Sequence, residues 1–165
     1  HRWLVPLLAD LAAHKGARFV ELIHRLELPR DSCVRTLEAA AAIGWVQRNP
    51  GHGHPLRPEY ILTEAGAAAA ARAATIAEAQ SAIGLPPGAA TRWGLPLVAG
   101  IGAGHDRFNA LSRLLAPATP RALSQGLTAL GQHGLVTRQL LDLRPPASRY
   151  DLTQTGALLA AACAQ

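Results

Sequence analysis

Aromatic side chains are scarce in this sequence: Phe, Tyr and Trp together make up 4% of the 165 residues, against 49% for the hydrophobic set as a whole. Any core must therefore be aliphatic, built from Leu, Val and Ala. Cysteine is rarer still. Cys33 and Cys163 lie far apart, which makes no disulfide framework and fits a reducing cytoplasm. Long apolar runs are missing too. The stretch from Trp3 to Ala13 is broken by Pro6 and Asp10 and falls short of the ~20 residues needed to cross a bilayer, so a soluble chain with no membrane partner is expected. The sequence begins on His1 with no initiator methionine, and further residues are expected upstream of it.

Reactive constellations are lacking as well. No nucleophile–base pair, paired carboxylates or phosphate loop stands at a recognisable spacing, so neither an enzyme nor a bound cofactor is expected. Gly100, Gly102 and Gly104 resemble a dinucleotide loop only superficially, because no strand precedes them. His52 and His54 place two imidazoles close together. Two ligands on a turn do not complete a four-coordinate site, and no metal is expected there.

What the chain does contain is an internal repeat. Arg2-Trp3 opens a stretch that closes on Tyr60-Ile61-Leu62-Thr63 and Gly66; Arg92-Trp93 opens another that closes on Tyr150-Asp151-Leu152-Thr153 and Gly156. Between these ends Arg18-Phe19 matches Arg107-Phe108, Leu22 matches Leu111, Leu37 matches Leu127, Gly44-Trp45-Val46 matches Gly134-Leu135-Val136, and Arg48 matches Arg138. Such self-similarity sets the domain count. The expected layout is a first domain over 1–66, an Ala-rich bridge and hinge over 67–91, and a second domain over 92–165. Domains this small are marginal alone and are expected to stabilise each other.

The copies differ in charge. The whole chain carries a net +5 and favours a polyanionic partner. From His1 to Ile83 there are nine Lys/Arg and eight Asp/Glu, a net of +1; from Gly84 to Gln165 there are seven Arg and three Asp, a net of +4. No acid occurs between Asp106 and Asp142, whereas the matching part of the first copy holds Glu21, Glu27, Asp31 and Glu38.

Each copy reads as three helices followed by a hairpin and a further helix. Trp3 to Ala13 and Trp93 to Ile101 are apolar, with Pro6 and Pro96 tolerable only in a first turn. Arg18 to Leu26 and Arg107 to Leu115 space Phe19, Leu22 and Leu26, or Phe108, Leu111 and Leu115, along one buried face. The third helix spans Arg30 to Ile43 or Pro120 to His133. Thr119 and Pro120 mark its start in the second copy, and Gly44 and Gly134 stop it. Trp45 to Arg48 with Tyr60 to Leu62, and Leu135 to Leu141 with Arg149 to Leu152, form the hairpins. Thr63 and Thr153 then cap helices over Ala65 to Ser81 and Gly156 to Ala164. The fold class is thus mainly α with small β-hairpins as wings: two tandem winged helix-turn-helix domains forming an intrachain pseudo-dimer.

The residues resemble the HxlR family of bacterial transcriptional regulators, close to the MarR group. The likeness rests on a Trp opening the first core helix, Arg-Phe before the second, Thr119-Pro120-Arg121-Ala122-Leu123-Ser124-Gln125, Gly134-Leu135-Val136 with Arg138, Pro145-Pro146, and Tyr150-Asp151-Leu152-Thr153 with Gly156. The first copy keeps the scaffold positions and departs between Pro29 and Leu37. Members of that family usually carry one winged helix per chain and bind DNA as homodimers, so two copies imply a fused dimer that acts as a monomer or pairs further. They also carry a helix ahead of the Trp, often with a cysteine. This sequence offers no residue to match that cysteine, so sensing by it is not carried over.

The resemblance implies double-stranded DNA as partner, with the third helix in the major groove. The second-copy readers are Arg121, Ser124 and Gln125 behind the Thr119 cap; the first-copy readers are Arg30, Ser32, Arg35 and Thr36. Wing contacts to phosphate are expected from Arg57, His52 and His54 and from Arg144 and Arg149, while Arg48 and Arg138 read as structural. Cys33, on the third helix, would switch binding on oxidation if it faced DNA; a small, partly buried residue is the blander reading and the favoured one. Trp3, Trp45 and Trp93 read first as core. A site for an apolar or aromatic small molecule near Trp3 and Trp93 is the sharper expectation. The alternative function is a small-molecule-binding or sequestering, resistance-type protein on a repurposed winged helix, with DNA binding weak or lost.

Overall fold

A computed structural model describes residues 2–49, 59–142 and 147–164. The chain divides into two units, Trp3–Glu78 and Ala79–Gln165. The division falls inside one continuous helix.

In the first unit, α1 (Leu4–His14), α2 (Phe19–Leu26) and α3 (Arg30–Ala42) are followed by strands β1 (Val46–Asn49) and β2 (Glu59–Leu62). Helix α4 (Glu64–Ala82) follows and runs into the second unit. That unit continues with α5 (Gly94–Gly102), α6 (Phe108–Leu114), α7 (Pro120–Gln132), β3 (Val136–Leu141), β4 (Ala147–Leu152) and α8 (Gln154–Ala164). The fold is mainly helical with two small antiparallel hairpins, one per unit. In the first, Arg48 stands opposite Tyr60; in the second, Arg138 stands opposite Tyr150. No described helix is long and apolar enough to cross a membrane.

The helix ends follow from local chemistry. Trp3 and Trp93 sit at the caps rather than inside the first turn, which places Pro6 and Pro96 three residues further on, where no intrahelical donor is lost. The Thr119 hydroxyl accepts from the Ala122 N–H at 3.2 Å, with Pro120 at the first helical position. Gly44 and Gly134 take φ of +76° and +67° just beyond α3 and α7, a left-handed step that ends each helix.

One fastening recurs in both units. Thr63 donates its hydroxyl to the Gly44 carbonyl at 2.6 Å and accepts from the Gly66 N–H at 3.0 Å, while its own N–H donates to the Trp45 carbonyl. Thr153 repeats this with Gly134, Gly156 and Leu135. A Cβ on Gly66 would lie 1.9 Å from the Trp45 oxygen, and one on Gly156 would lie 2.0 Å from the Leu135 oxygen. Only glycine permits that approach. The Thr-x-x-Gly sequence after each hairpin is thus explained by a helix start pressed onto the base of the hairpin.

The core of the first unit is aliphatic, with Leu7, Leu8, Leu11, Leu22, Leu28, Leu37 and Val46 buried together; Trp3 and Trp45 pack against it half-buried. In the second unit Leu97, Val98, Leu111, Leu123, Leu130 and Leu159 are buried. Burial at about 25 cal/mol per Å² of apolar surface makes these side chains the main source of stability.

Candidate nucleic-acid interface

Helix α7 divides cleanly into two faces. Leu123, Gly126, Leu127 and Leu130 are buried, while Arg121, Ser124, Gln125 and Thr128 are exposed. Steps of three and four residues keep the exposed set on one side. The side chains nominated to read bases in the second copy therefore share one solvent-facing surface. Close packing behind them depends on Gly126, where a Cβ would come within 2.7 Å of Leu97.

Helix α3 has the same phase, which corrects the expectation for Thr36 and agrees with the favoured reading of Cys33 as a small residue turned inward. Thr36 is 1% exposed, and its hydroxyl donates to the Ser32 carbonyl at 2.7 Å; it occupies the place of Gly126 and cannot reach a base. Cys33 occupies the place of Leu123 and is fully buried on the side away from the exposed face. Burial pushes its thiol up to about 11. Ser32 is half-buried. Arg30 and Arg35 are exposed, with the Arg30 guanidinium 5.0 Å from the centre of the Phe19 ring. What α3 presents in place of Arg121, Ser124, Gln125 and Thr128 is Asp31, Val34, Arg35 and Glu38.

On the second hairpin Arg149 is committed to carboxylates: it pairs with Asp151 at 3.0 Å and with Asp106 at 3.3 Å. This reduces what it can offer a phosphate. Arg138 donates to the Ser148 hydroxyl at 2.9 Å from an exposed position. Arg144, Arg57, His52 and His54 fall outside the described residues.

A cleft of about 630 Å³ opens where α6, α7 and the second hairpin meet, lined by Arg107, Asn109, Arg113, Ser124, Arg138, Ser148 and Tyr150 among others. Sequence reasoning passed over Arg107 and Arg113. Their signal was the arginines flanking Phe108 and Leu111 on a helix with no acid. A separate groove of about 530 Å³ lies between α5, β4 and α8 and is lined by Ala99, Gly102, Leu152 and several alanines of α8. None of the three tryptophans lines it.

Residues 89–165 match the HxlR-like helix-turn-helix family. The HxlR-like segment takes in helices α5 to α8 and the hairpin between them. It includes the α7 face and the cleft beside it. Among curated proteins, the uncharacterized HTH-type transcriptional regulator YtfH of Escherichia coli (strain K12) is 33% identical over 66 residues, covering 40% of this chain and 52% of the relative. YtfH of Shigella flexneri gives the same figures. The chain spans about half the length of these relatives. Among solved structures, the diamide-treated YodB from B. subtilis is 27% identical, covers 52% of this chain and 81% of its own, and has a TM-score of 0.43. A MarR-family transcriptional regulator from Enterococcus faecalis V583 is 31% identical, covers 55% of this chain and 76% of its own, with the same TM-score.

Proposed function

We propose that the chain is a DNA-binding transcriptional regulator with two winged helix-turn-helix units in tandem, a built-in dimer in one polypeptide. The observation that carries this is the exposed row Arg121, Ser124, Gln125 and Thr128 on a helix capped by Thr119, within the segment that matches the HxlR-like family. Arg pairs with guanine O6 and N7, and Gln with adenine N6 and N7, each good pair adding ~1–3 kcal/mol of discrimination. Arg121 and Gln125 are the base readers, and Ser124 sits between them. The domain layout of 1–66, 67–91 and 92–165 is part of the proposal.

The test is Arg121→Ala combined with Gln125→Ala in the full chain. Affinity for duplex DNA selected from genomic fragments should fall by a hundredfold or more. Unchanged, salt-sensitive affinity in the double variant sinks the reading.

The apolar groove between α5, β4 and α8 favours a second reading, a small-molecule-binding or sequestering protein on the same scaffold. Recovery of a tight apolar ligand with the purified chain, together with no affinity for DNA, would select it.

A further inference from the structure

The cleft beside α7 and the same place in the first unit carry opposite chemistry. Arg107, Asn109, Arg113, Ser124, Arg138 and Ser148 line the second-unit cleft with cations and neutral hydrogen-bonding groups. Asp106 lies 3.7 Å from Arg107 and offsets part of its charge. Among the described residues no carboxylate pairs with Arg113 or Arg138. Instead, Arg113 donates through Nε to the Asn109 carbonyl at 3.2 Å, and Arg138 donates through Nε to the Ser148 hydroxyl at 2.9 Å. A guanidinium has five N–H donors, so each retains its terminal nitrogens after anchoring itself by one. Side chains anchored in this way lose less freedom when they take up a ligand oxygen. The fork geometry suits phosphate.

In the first unit the corresponding positions have changed. Val20 stands for Asn109 and is 70% exposed; Glu21 stands for Ala110; His24 stands for Arg113; Val34 stands for Ser124; Arg57 and Pro58, which stand for Ala147 and Ser148, fall outside the described residues. Arg18, which stands for Arg107, is bonded to the Glu21 carboxylate through Nε at 2.9 Å and through Nη2. Arg48 keeps the charge of its counterpart. An entering phosphate would meet the Glu21 carboxylate beside two valines, with Asp31 and Glu38 on the adjoining face of α3. Valine offers a phosphate oxygen no donor, and carboxylates repel it.

We infer that the α6–α7–hairpin cleft of the second unit is a phosphate seat built on Arg113 and Arg138, and that among the described residues the matching surface of α2 and α3 in the first unit has lost that capacity. The two units of the built-in dimer therefore do not share this backbone contact equally. This inference rests on the DNA-binding reading above.

The test measures affinity of the full chain for a random-sequence duplex across a salt series. Arg113→Ala with Arg138→Ala should weaken binding tenfold or more and reduce the log–log salt slope by ~1.8, because each lost phosphate contact removes ~0.9. His24→Ala with Arg48→Ala should change affinity by less than twofold and leave the slope as it was. Arg→Gln at positions 113 and 138 serves if the alanine pair unfolds by circular dichroism. The reciprocal change, Val20→Asn with Glu21→Ala and Val34→Ser, should strengthen binding. Equal losses from the two paired variants overturn the inference. So does a second-unit pair that binds like the wild type while Arg121→Ala with Gln125→Ala still loses its DNA. A wild-type chain with no salt-sensitive affinity for DNA overturns the regulator reading itself.

Discussion

Arg25 grips Asp10 with both nitrogens of its outer edge, Nε to Oδ1 at 2.9 Å and Nη2 to Oδ2 at 2.7 Å, on a carboxylate only 7% exposed. His14 stands on the other side, 3.4 Å from the same carboxylate. In the second unit the positions of Asp10 and Arg25 are Gly100 and Leu114, and a Cβ on Gly100 would come within 2.9 Å of the Leu114 side chain. An ion pair in one copy is replaced by a small residue and a large apolar one in the other. The two solutions fill one space.

Breaking the pair from one side should destabilise, because Arg25 loses its bidentate partner and keeps only the weaker attraction of Glu21. Asp10→Ala is expected to destabilise the first unit by about 2 kcal/mol, less than a fully buried pair would lose because Arg25 stays in contact with water. Adding Arg25→Leu, the second unit's residue, should restore more than half of that. Urea denaturation of the single and double variants measures it; a double variant no more stable than Asp10→Ala would refute the account.

Gly66 and Gly156 should be intolerant of even one methyl group. An added Cβ meets backbone carbonyls, which cannot swing aside as a side-chain tip would. Gly66→Ala and Gly156→Ala are each expected to cost about 3 kcal/mol or more, among the larger single-site effects. Thr63→Val and Thr153→Val should cost ~1 kcal/mol each through the lost caps. Thermal melts that leave either glycine variant at the wild-type midpoint would contradict this.

Acid should loosen the first unit through Glu21. Hydrogen bonds from the Arg18 side chain and backbone hold its carboxyl below the ordinary 4.5. A carboxylate depressed in the folded state contributes stability that is fully present above 4.5 and is lost as pH falls through the lower folded value. Glu21→Gln should therefore narrow the stability difference between pH 7 and pH 3. Identical pH profiles for the variant and the wild type would count against the pairing.

Cys33 should be chemically silent while the protein is folded. With its thiol pushed to about 11 by burial, almost no thiolate exists near neutral pH. Iodoacetamide should label Cys163, which is half-buried, well before Cys33, and labelling of Cys33 should rise only with denaturant. Rapid labelling of native Cys33 would reverse the assignment.

Much of the scaffold was legible in the sequence because its punctuation is local. Thr119-Pro120, Gly44, Gly134 and the two Thr-x-x-Gly sequences act within a few residues of themselves, and the structure places each at the helix end it marks. The phase of α3 was legible too, but only by comparison. The 90-residue offset that pairs Leu37 with Leu127 also pairs Thr36 with Gly126 and Cys33 with Leu123, which sends both inward. Polarity alone points Thr36 outward. Asp10 was harder, since it reads as a break in an apolar run, and its partner is fifteen residues away on another helix. Arg149 misleads for the same reason: the carboxylate of Asp106 reaches it only once β4 has formed.

The Thr–Gly fastening has a mechanical consequence. In the second unit it ties the carbonyl of Gly134, just past α7, to the first turn of α8 through the hydroxyls of Thr153 and Thr155. With a carbonyl wedged against Gly156, no slack remains between the end of one helix and the start of the next. A tilt of α8 therefore acts directly on the end of α7, the helix that bears Arg121 and Gln125.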